Sequence, residues 1–225
     1  MSTKRARIDG KKNDMSSAAG TDVKLSKTLS WVLRHGAPEV GIRLDDEGFA
    51  EVDSLLKLDQ LRGVSVEQVR RVVAENNKQR FSLRDHPDTG SLCIRANQGH
   101  SLPVERLELK PIIDASKYPT VVHGTYLKAW ATIQKQGLSK MNRQHIHFAP
   151  GLADDDSVYS GMRRNCEVRI YIDLTTALKH DYKFFLSSNN VILCPGNKEG
   201  FLPKEYFRKV EVRDKSTGQF DEVVC

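Results

Sequence analysis

Residues Leu33-Arg34-His35-Gly36 set a guanidinium beside an imidazole at the end of a short amphipathic segment. A permanently charged fork that matches phosphate oxygens, next to a group that can carry a proton near neutral pH, suits gripping a phosphate and moving a proton. A bland reading, an exposed arginine and a capping histidine, holds for any isolated helix. A second pair, His145 and His147 in Arg143-Gln144-His145-Ile146-His147-Phe148, has the spacing of two ligands on one strand face. No third or fourth ligand accompanies it at sensible spacing, so zinc is rejected and no metal is expected. The four cysteines (Cys93, Cys166, Cys194, Cys225) are far apart and form no C-x-x-C pair. They read as reduced thiols of a cytosolic or nuclear protein.

The element that must hold Arg34 and His35 is a helix from Asp22 to Gly36. Leu25, Leu29, Val32 and Leu33 recur on one face, Asp22 is placed to cap the first turn, and Gly36 sits where a left-handed cap usually stops a helix. In the last turn the helix dipole is expected to raise the histidine pKa. Ahead of it, residues 1–21 are polar and basic and read as a disordered tail, with Lys4-Arg5-Ala6-Arg7 a candidate import signal or RNA-hugging arm. Gly41-Ile42-Arg43-Leu44 and Phe49-Ala50-Glu51-Val52 read as short strands around a turn. Asp53 can cap a brief helix, and Ser65-Val66-Glu67-Gln68 has capping-box spacing before a valine stripe running to about Asn76. Arg80–Arg84 and Leu92–Ala96 then form a hairpin. Helices followed by a two-stranded wing describe a winged-helix-like module over residues 22–109, a DNA- or RNA-binding first guess.

Residues 110–119 weaken in pattern and read as a linker. Residues 120–225 give a strand into His123-Gly124-Thr125, a helix through Trp130 to Gly137, and strands at 143–148, 168–172, 184–186, 191–193 and 210–212. Ala153–Asp156 begins a loop or short helix. The whole reads as α+β, the second half carrying a split or sandwiched antiparallel sheet. No repeat or dinucleotide-binding G-x-G-x-x-G is present.

At 225 residues the chain can bury one large or two small cores, and its net charge of +6 favours a polyanionic partner such as nucleic acid. No apolar run approaches the length of a membrane span and no signal peptide precedes the fold, so the expectation is a soluble intracellular protein, cytoplasmic or nuclear.

Taken in order, Leu33-Arg34-His35-Gly36, Asn77–Phe81, Ile94–Ser101, His123-Gly124-Thr125, Arg143 with His147, and Gly161-Met162-Arg163 resemble the NAD-dependent tRNA 2′-phosphotransferases. The resemblance covers about residues 22–213. It implies a winged-helix lobe joined to an ADP-ribosyltransferase-like lobe. The implied reaction passes the internal splice-junction 2′-phosphate of ligated tRNA to NAD, releasing nicotinamide and ADP-ribose 1″,2″-cyclic phosphate. By the same resemblance Arg34, His35, Arg80 and Arg143 are catalytic. His35 is either a general acid to the departing 2′-oxygen or only a phosphate ligand. His123, Gly124, Thr125, His147, Arg163 and Asn189 fall to NAD, with Gly124 letting backbone approach the dinucleotide. Arg95, Gln98, His100 and Ser101 fall to RNA or interlobe contacts. His145 reads as structural or peripheral. Where that family often has Asn-Gly-Val, this chain has Asn189-Asn190-Val191, and asparagine still tolerates a positive-φ turn. The partners implied are 2′-phosphorylated spliced tRNA and NAD, acting on a monomer with no membrane. Two other readings share parts of this pattern: an ADP-ribosyltransferase that caps terminal nucleic-acid phosphates, and a non-catalytic winged-helix nucleic-acid-binding protein.

Overall fold

The computed structural model describes residues 11–152, 161–162 and 165–223. The tail motif Lys4–Arg7, the 153–156 segment and Arg163 lie outside the described residues.

Helix α1 spans Lys11–Trp31. Leu25, Leu29, Val32 and Leu33 are all buried, as their spacing requires. The helix begins at Lys11, not at Asp22, so the part of the expected tail from Lys11 to Thr21 is helical. Once the anchored apolar face has paid for nucleation, adding turns to a helix costs little. Asp22 is not a cap: its carboxylate pairs with Arg71 at 2.8 Å.

After Trp31 the last turn widens into a π-helix, Val32–Gly36. The left-handed residue expected at Gly36 stands at Gly41, with φ of 71°. Gly36 is needed for space: a Cβ there would lie 2.5 Å from the indole of Trp31.

Gly41–Leu44 pairs with no strand. Strand β1 (Phe49–Glu51) leads into helix α2 (Val52–Leu56), and helix α3 (Val66–Ala74) starts at the Ser65/Gln68 capping box. Strands β2 (Phe81–Asp85) and β3 (Leu92–Ala96) form the hairpin, and the antiparallel sheet runs β1-β3-β2. Leu25, Leu29, Leu33, Leu55, Val69 and Ile94 belong to one core beneath that sheet. Each such aliphatic side chain contributes about 1.5–3 kcal/mol on burial.

Residues 110–119 are not a bare linker. Strand β4 (Leu109–Pro111) opens the next sheet, and Ile112 is buried. An edge place explains how Pro111 is tolerated there, because an edge strand has one side that need not donate. Strand β5 (Val122–Thr125) precedes helix α4 (Leu127–Gln136), strand β6 (Leu138–Ser139) and strand β7 (Ile146–Phe148). Strand β8 (Val168–Ile172), helix α5 (Leu174–Lys179), strands β9 (Phe185–Ser187) and β10 (Ile192–Cys194) follow, then β11 (Phe201–Leu202), β12 (Phe207–Arg213) and β13 (Phe220–Val223).

One antiparallel sheet runs β4-β9-β10-β7 and the other β13-β12-β8-β5, with β6 and β11 paired apart. Phe148, Ile192 and Cys194 of the first meet Ile170, Ile172 and Val210 of the second in a separate core. The fold is thus α+β with antiparallel sheets; its two larger apolar cores draw on the two halves of the chain, beside a smaller cluster of Val122, Ala149, Met162, Cys166 and Tyr171. Among the described residues no helix is long and apolar enough to cross a membrane.

Candidate active site

The widened turn at the end of α1 frees the backbone carbonyl of Arg34, which accepts from the amides of Ser101 at 2.9 Å and Leu102 at 3.3 Å. A π turn of this kind is a common functional device because it breaks the regular ladder at one residue. The Arg34 side chain is mostly buried and passes beside Gly99, which has φ of +89° and where a Cβ would lie 3.5 Å from the guanidinium carbon. Nε and Nη2 of Arg34 are buried and have no hydrogen-bond partner. Burial first, then Arg143 and Arg80, lower its pKa to about 10.

Arg80 enters at the start of β2. It is partly buried, its Nη1 donates to Asn76 Oδ1 at 3.1 Å, and burial lowers its pKa. The turn before it is held by Asn97: the Asn97 side chain donates to the Gln79 carbonyl at 2.7 Å, and its amide to the Arg80 carbonyl at 2.8 Å. Gln79 is left-handed, with φ of 43°. Asn97 and Asn76 were missed as site residues. Asn97 lay inside the quoted Ile94–Ser101 run, and its polarity between buried neighbours was the available signal.

Arg143 comes from the other half of the chain, on the loop between β6 and β7. The next residue, Gln144, donates its amide to the His100 carbonyl at 2.9 Å, which fastens that loop to the first half. Arg34, Arg80 and Arg143, with Lys78, line one cavity of about 350 Å³. None of its lining residues among those described is acidic. Guanidiniums gathered in a partly dry space suit an anion whose oxygens they can grip bidentately.

His35 lies beside them, with Nδ1 2.9 Å from Ser101 Oγ. Its pKa is lowered, by burial first and then by Arg143 and Arg34. The rise expected from the helix dipole is therefore overturned: the turn is no longer a regular α-helix end, and neighbouring cations outweigh the dipole.

His123, Gly124 and Thr125 of β5, together with His147 of β7, line the same cavity. His123 Nδ1 lies 2.9 Å from the His147 carbonyl, which can only accept, so the proton sits on Nδ1. His147 Nε2 is buried and unpartnered, and burial followed by Arg143 holds its pKa well below the ordinary value. Gly124 also makes room for a neighbour. A Cβ there would fall 2.3 Å from Met162 Cγ, so the glycine admits Met162 into the cavity wall. Arg143, His123, Thr125 and His147 also border a larger cavity of about 890 Å³, so the two spaces adjoin. His145 borders only the larger one, edge-on to Phe185.

Of the four residues read as RNA or interlobe contacts, Arg95, Gln98 and His100 are buried and Ser101 is exposed. Arg95 is buried, paired with Glu108 at 2.6 Å and stacked over Phe49. His100 is buried with both ring nitrogens unpartnered and its pKa lowered to about 4 by burial and then Arg34. Ser101 supports His35, and only Gln98 of the four lines the phosphate-sized cavity. Asn189 does not line it either. Its Nδ2 donates to the Lys78 carbonyl at 3.0 Å, tying the two halves together. The turn at Asn189-Asn190-Val191 does keep its positive φ, 60° at Asn190.

A profile of the family described as RNA 2′-phosphotransferase, Tpt1 / KptA family, matches residues 20–196. The chain is 51% identical over 192 residues to "tRNA 2′-phosphotransferase 1" of Danio rerio, covering 84% of this chain and 85% of that protein. It is 50% identical over 190 residues to the Homo sapiens protein of the same name, covering 84% and 75%. To "tRNA 2′-phosphotransferase" of Saccharomyces cerevisiae it is 37% identical over 202 residues, covering 85% and 84%.

Proposed function

Because the chain belongs to the RNA 2′-phosphotransferase, Tpt1 / KptA family, we propose that it removes the internal 2′-phosphate of spliced tRNA and transfers it to NAD. The observation that carries this reading is the convergence of Arg34, Arg80 and Arg143, from both halves of the chain, on one cavity. A 2′-phosphomonoester brings close to two negative charges and three acceptor oxygens to that place.

In the first step a phosphate oxygen attacks the anomeric carbon of the nicotinamide riboside. The carbon–nitrogen bond breaks and nicotinamide leaves with the electron pair. The nucleophile is already anionic, so the protein orients it and partly neutralises it. The adjoining 890 Å³ cavity, bordered by His123, Thr125 and His147, is the place assigned to the dinucleotide. In the second step the ribose 2″-hydroxyl attacks phosphorus and the RNA 2′-oxygen departs. The hydroxyl proton is given up and one proton is delivered to the leaving oxygen. The arginines stabilise the charge that gathers on the phosphorus oxygens.

His35 is neutral in the free protein near neutral pH and faces cations. A bound phosphate dianion reverses that field and raises its pKa, so the imidazole gains a proton as substrate binds and can return it to the 2′-oxygen. We assign Ser101 to fixing the ring through Nδ1. The first half is read as winged-helix-like, the second as ADP-ribosyltransferase-like, and NAD-binding roles for Arg163 and Asn189 follow from family resemblance alone.

Incubation with NAD and a short RNA bearing one internal 2′-phosphate tests the proposal. The expected products are 2′-hydroxyl RNA, nicotinamide and ADP-ribose 1″,2″-cyclic phosphate, resolved by mass spectrometry. Phosphate that stays on the RNA, or leaves as inorganic phosphate without NAD, overturns it.

A further inference from the structure

The arginine cavity has two open neighbours. One is the 890 Å³ space on the side of the second half. The other is a groove of about 720 Å³ between α1 and the α3–β2 connection, which shares Arg34, Lys78 and Arg80 with the cavity. With the dinucleotide assigned to the first, the RNA carrying the phosphate lies along the second.

That groove contains Trp31, a large aromatic side chain that is 39% exposed. Trp31 is the last residue of α1, and the space left by Gly36 seats its indole against the backbone. The ring is therefore ordered before anything binds. Lys27 and Lys78 line the same groove; of the two acids lining it among the described residues, Asp22 is already paired with Arg71 and Glu75 is exposed. An exposed, pre-seated aromatic between basic side chains is the arrangement that receives an unpaired base and its phosphate backbone.

We infer that Trp31 is a stacking platform for the base of the phosphorylated nucleotide or of its 3′ neighbour, so that the groove at the end of α1 is an RNA subsite. This rests on the proposed reaction only for which RNA is used. The 2′-phosphate held by Arg34 and Arg80 is attached to a ribose, and that ribose's base lies within one nucleotide of the indole. A stacked base turns the ribose so that its 2′-phosphate enters the arginine cavity. Trp31 is thus a positioning residue.

The test compares RNAs bearing one internal 2′-phosphate: one with all bases, one abasic at the phosphorylated nucleotide, one abasic at its 3′ neighbour. Binding is read by fluorescence anisotropy without NAD, and turnover is read separately with NAD. The wild-type protein is expected to lose roughly 5- to 100-fold in affinity for one of the abasic RNAs. Trp31→Ala loses the same factor on intact RNA and nothing further on that abasic RNA, whereas Trp31→Phe keeps most of the affinity. The KM for NAD stays at its wild-type value in Trp31→Ala, and the loss appears first in RNA affinity and KM for RNA. Equal wild-type affinity for all three RNAs, or penalties of mutation and base removal that multiply, would overturn the subsite. Absence of phosphate transfer from every RNA sinks the proposed reaction, while the anisotropy comparison still decides the subsite.

Discussion

At the scale of single residues, the site is governed by three guanidiniums that line one cavity. Arg80 makes one hydrogen bond to Asn76 and is partly exposed, so removing it costs little stability. Arg80→Ala is expected to lower phosphate removal by about 10²-fold or more while the melting temperature stays near wild type. Arg80→Lys restores little of that, since an ammonium cannot grip two oxygens at once. Arg143→Ala is expected to slow the second step more than the first, so RNA-2′-phospho-ADP-ribose accumulates in single-turnover gels. The histidines set a pH dependence of a definite sign. His100 and His145 are both lowered to about 4, chiefly by burial. Below the ordinary value of about 6.5 the unfolded chain binds protons that the folded chain refuses. Stability is therefore full above that pH and declines as pH falls toward 4, by up to about 1.4 kcal/mol per pH unit for each histidine. Urea titrations at several pH values measure the slope, and His100→Gln removes its share.

The four catalytic candidates Arg34, His35, Arg80 and Arg143 were legible because their types match phosphate chemistry and their order matches one family. The inward fate of Arg95 and His100 was not. Nothing local says that Arg95 stacks on Phe49 or that the His100 ring comes to lie beside Gly48, residues that the fold alone brings near.

At the scale of elements, the turn from Val32 to Gly36 decides how Arg34 and His35 are presented. Its looser ladder is stabilised from outside, by the Ser101 and Leu102 amides on the Arg34 carbonyl. Gly36→Ala forces a methyl group to 2.5 Å from the Trp31 ring. The expected cost is about 1–3 kcal/mol in urea unfolding, with activity reduced because the turn must shift. Apolar spacing located this helix well, since Leu25, Leu29 and Leu33 fall on its buried face. Periodicity carries no mark of a one-residue widening at a helix end, and it cannot see helix that continues without an apolar stripe, as it does from Lys11 to Thr21. The edge strand Leu109–Pro111 was missed for a similar reason. It pairs in register with Ser187, Leu186 and Phe185, far along the chain, and its proline reads locally as a break.

At the scale of the whole molecule, the site lies where two separately packed cores meet. Arg34 and Arg80 belong to the half built around Leu29 and Ile94; Arg143, His123 and His147 belong to the half built around Phe148 and Ile170. Few bonds cross the seam, and Asn189 to the Lys78 carbonyl is one of them. Asn189→Ala is expected to lower stability by about 1–2 kcal/mol and to raise the KM for RNA, because Lys78 and Arg80 lose their brace. Chemical denaturation and steady-state kinetics measure the two effects together. The seam has a mechanical consequence. Because Arg34 and Arg80 of one half and Arg143 of the other line one small chamber, an anion seated there is gripped from both sides at once. Such a guest is a rivet through the seam, and its oxygens add to the backbone bonds that already cross it.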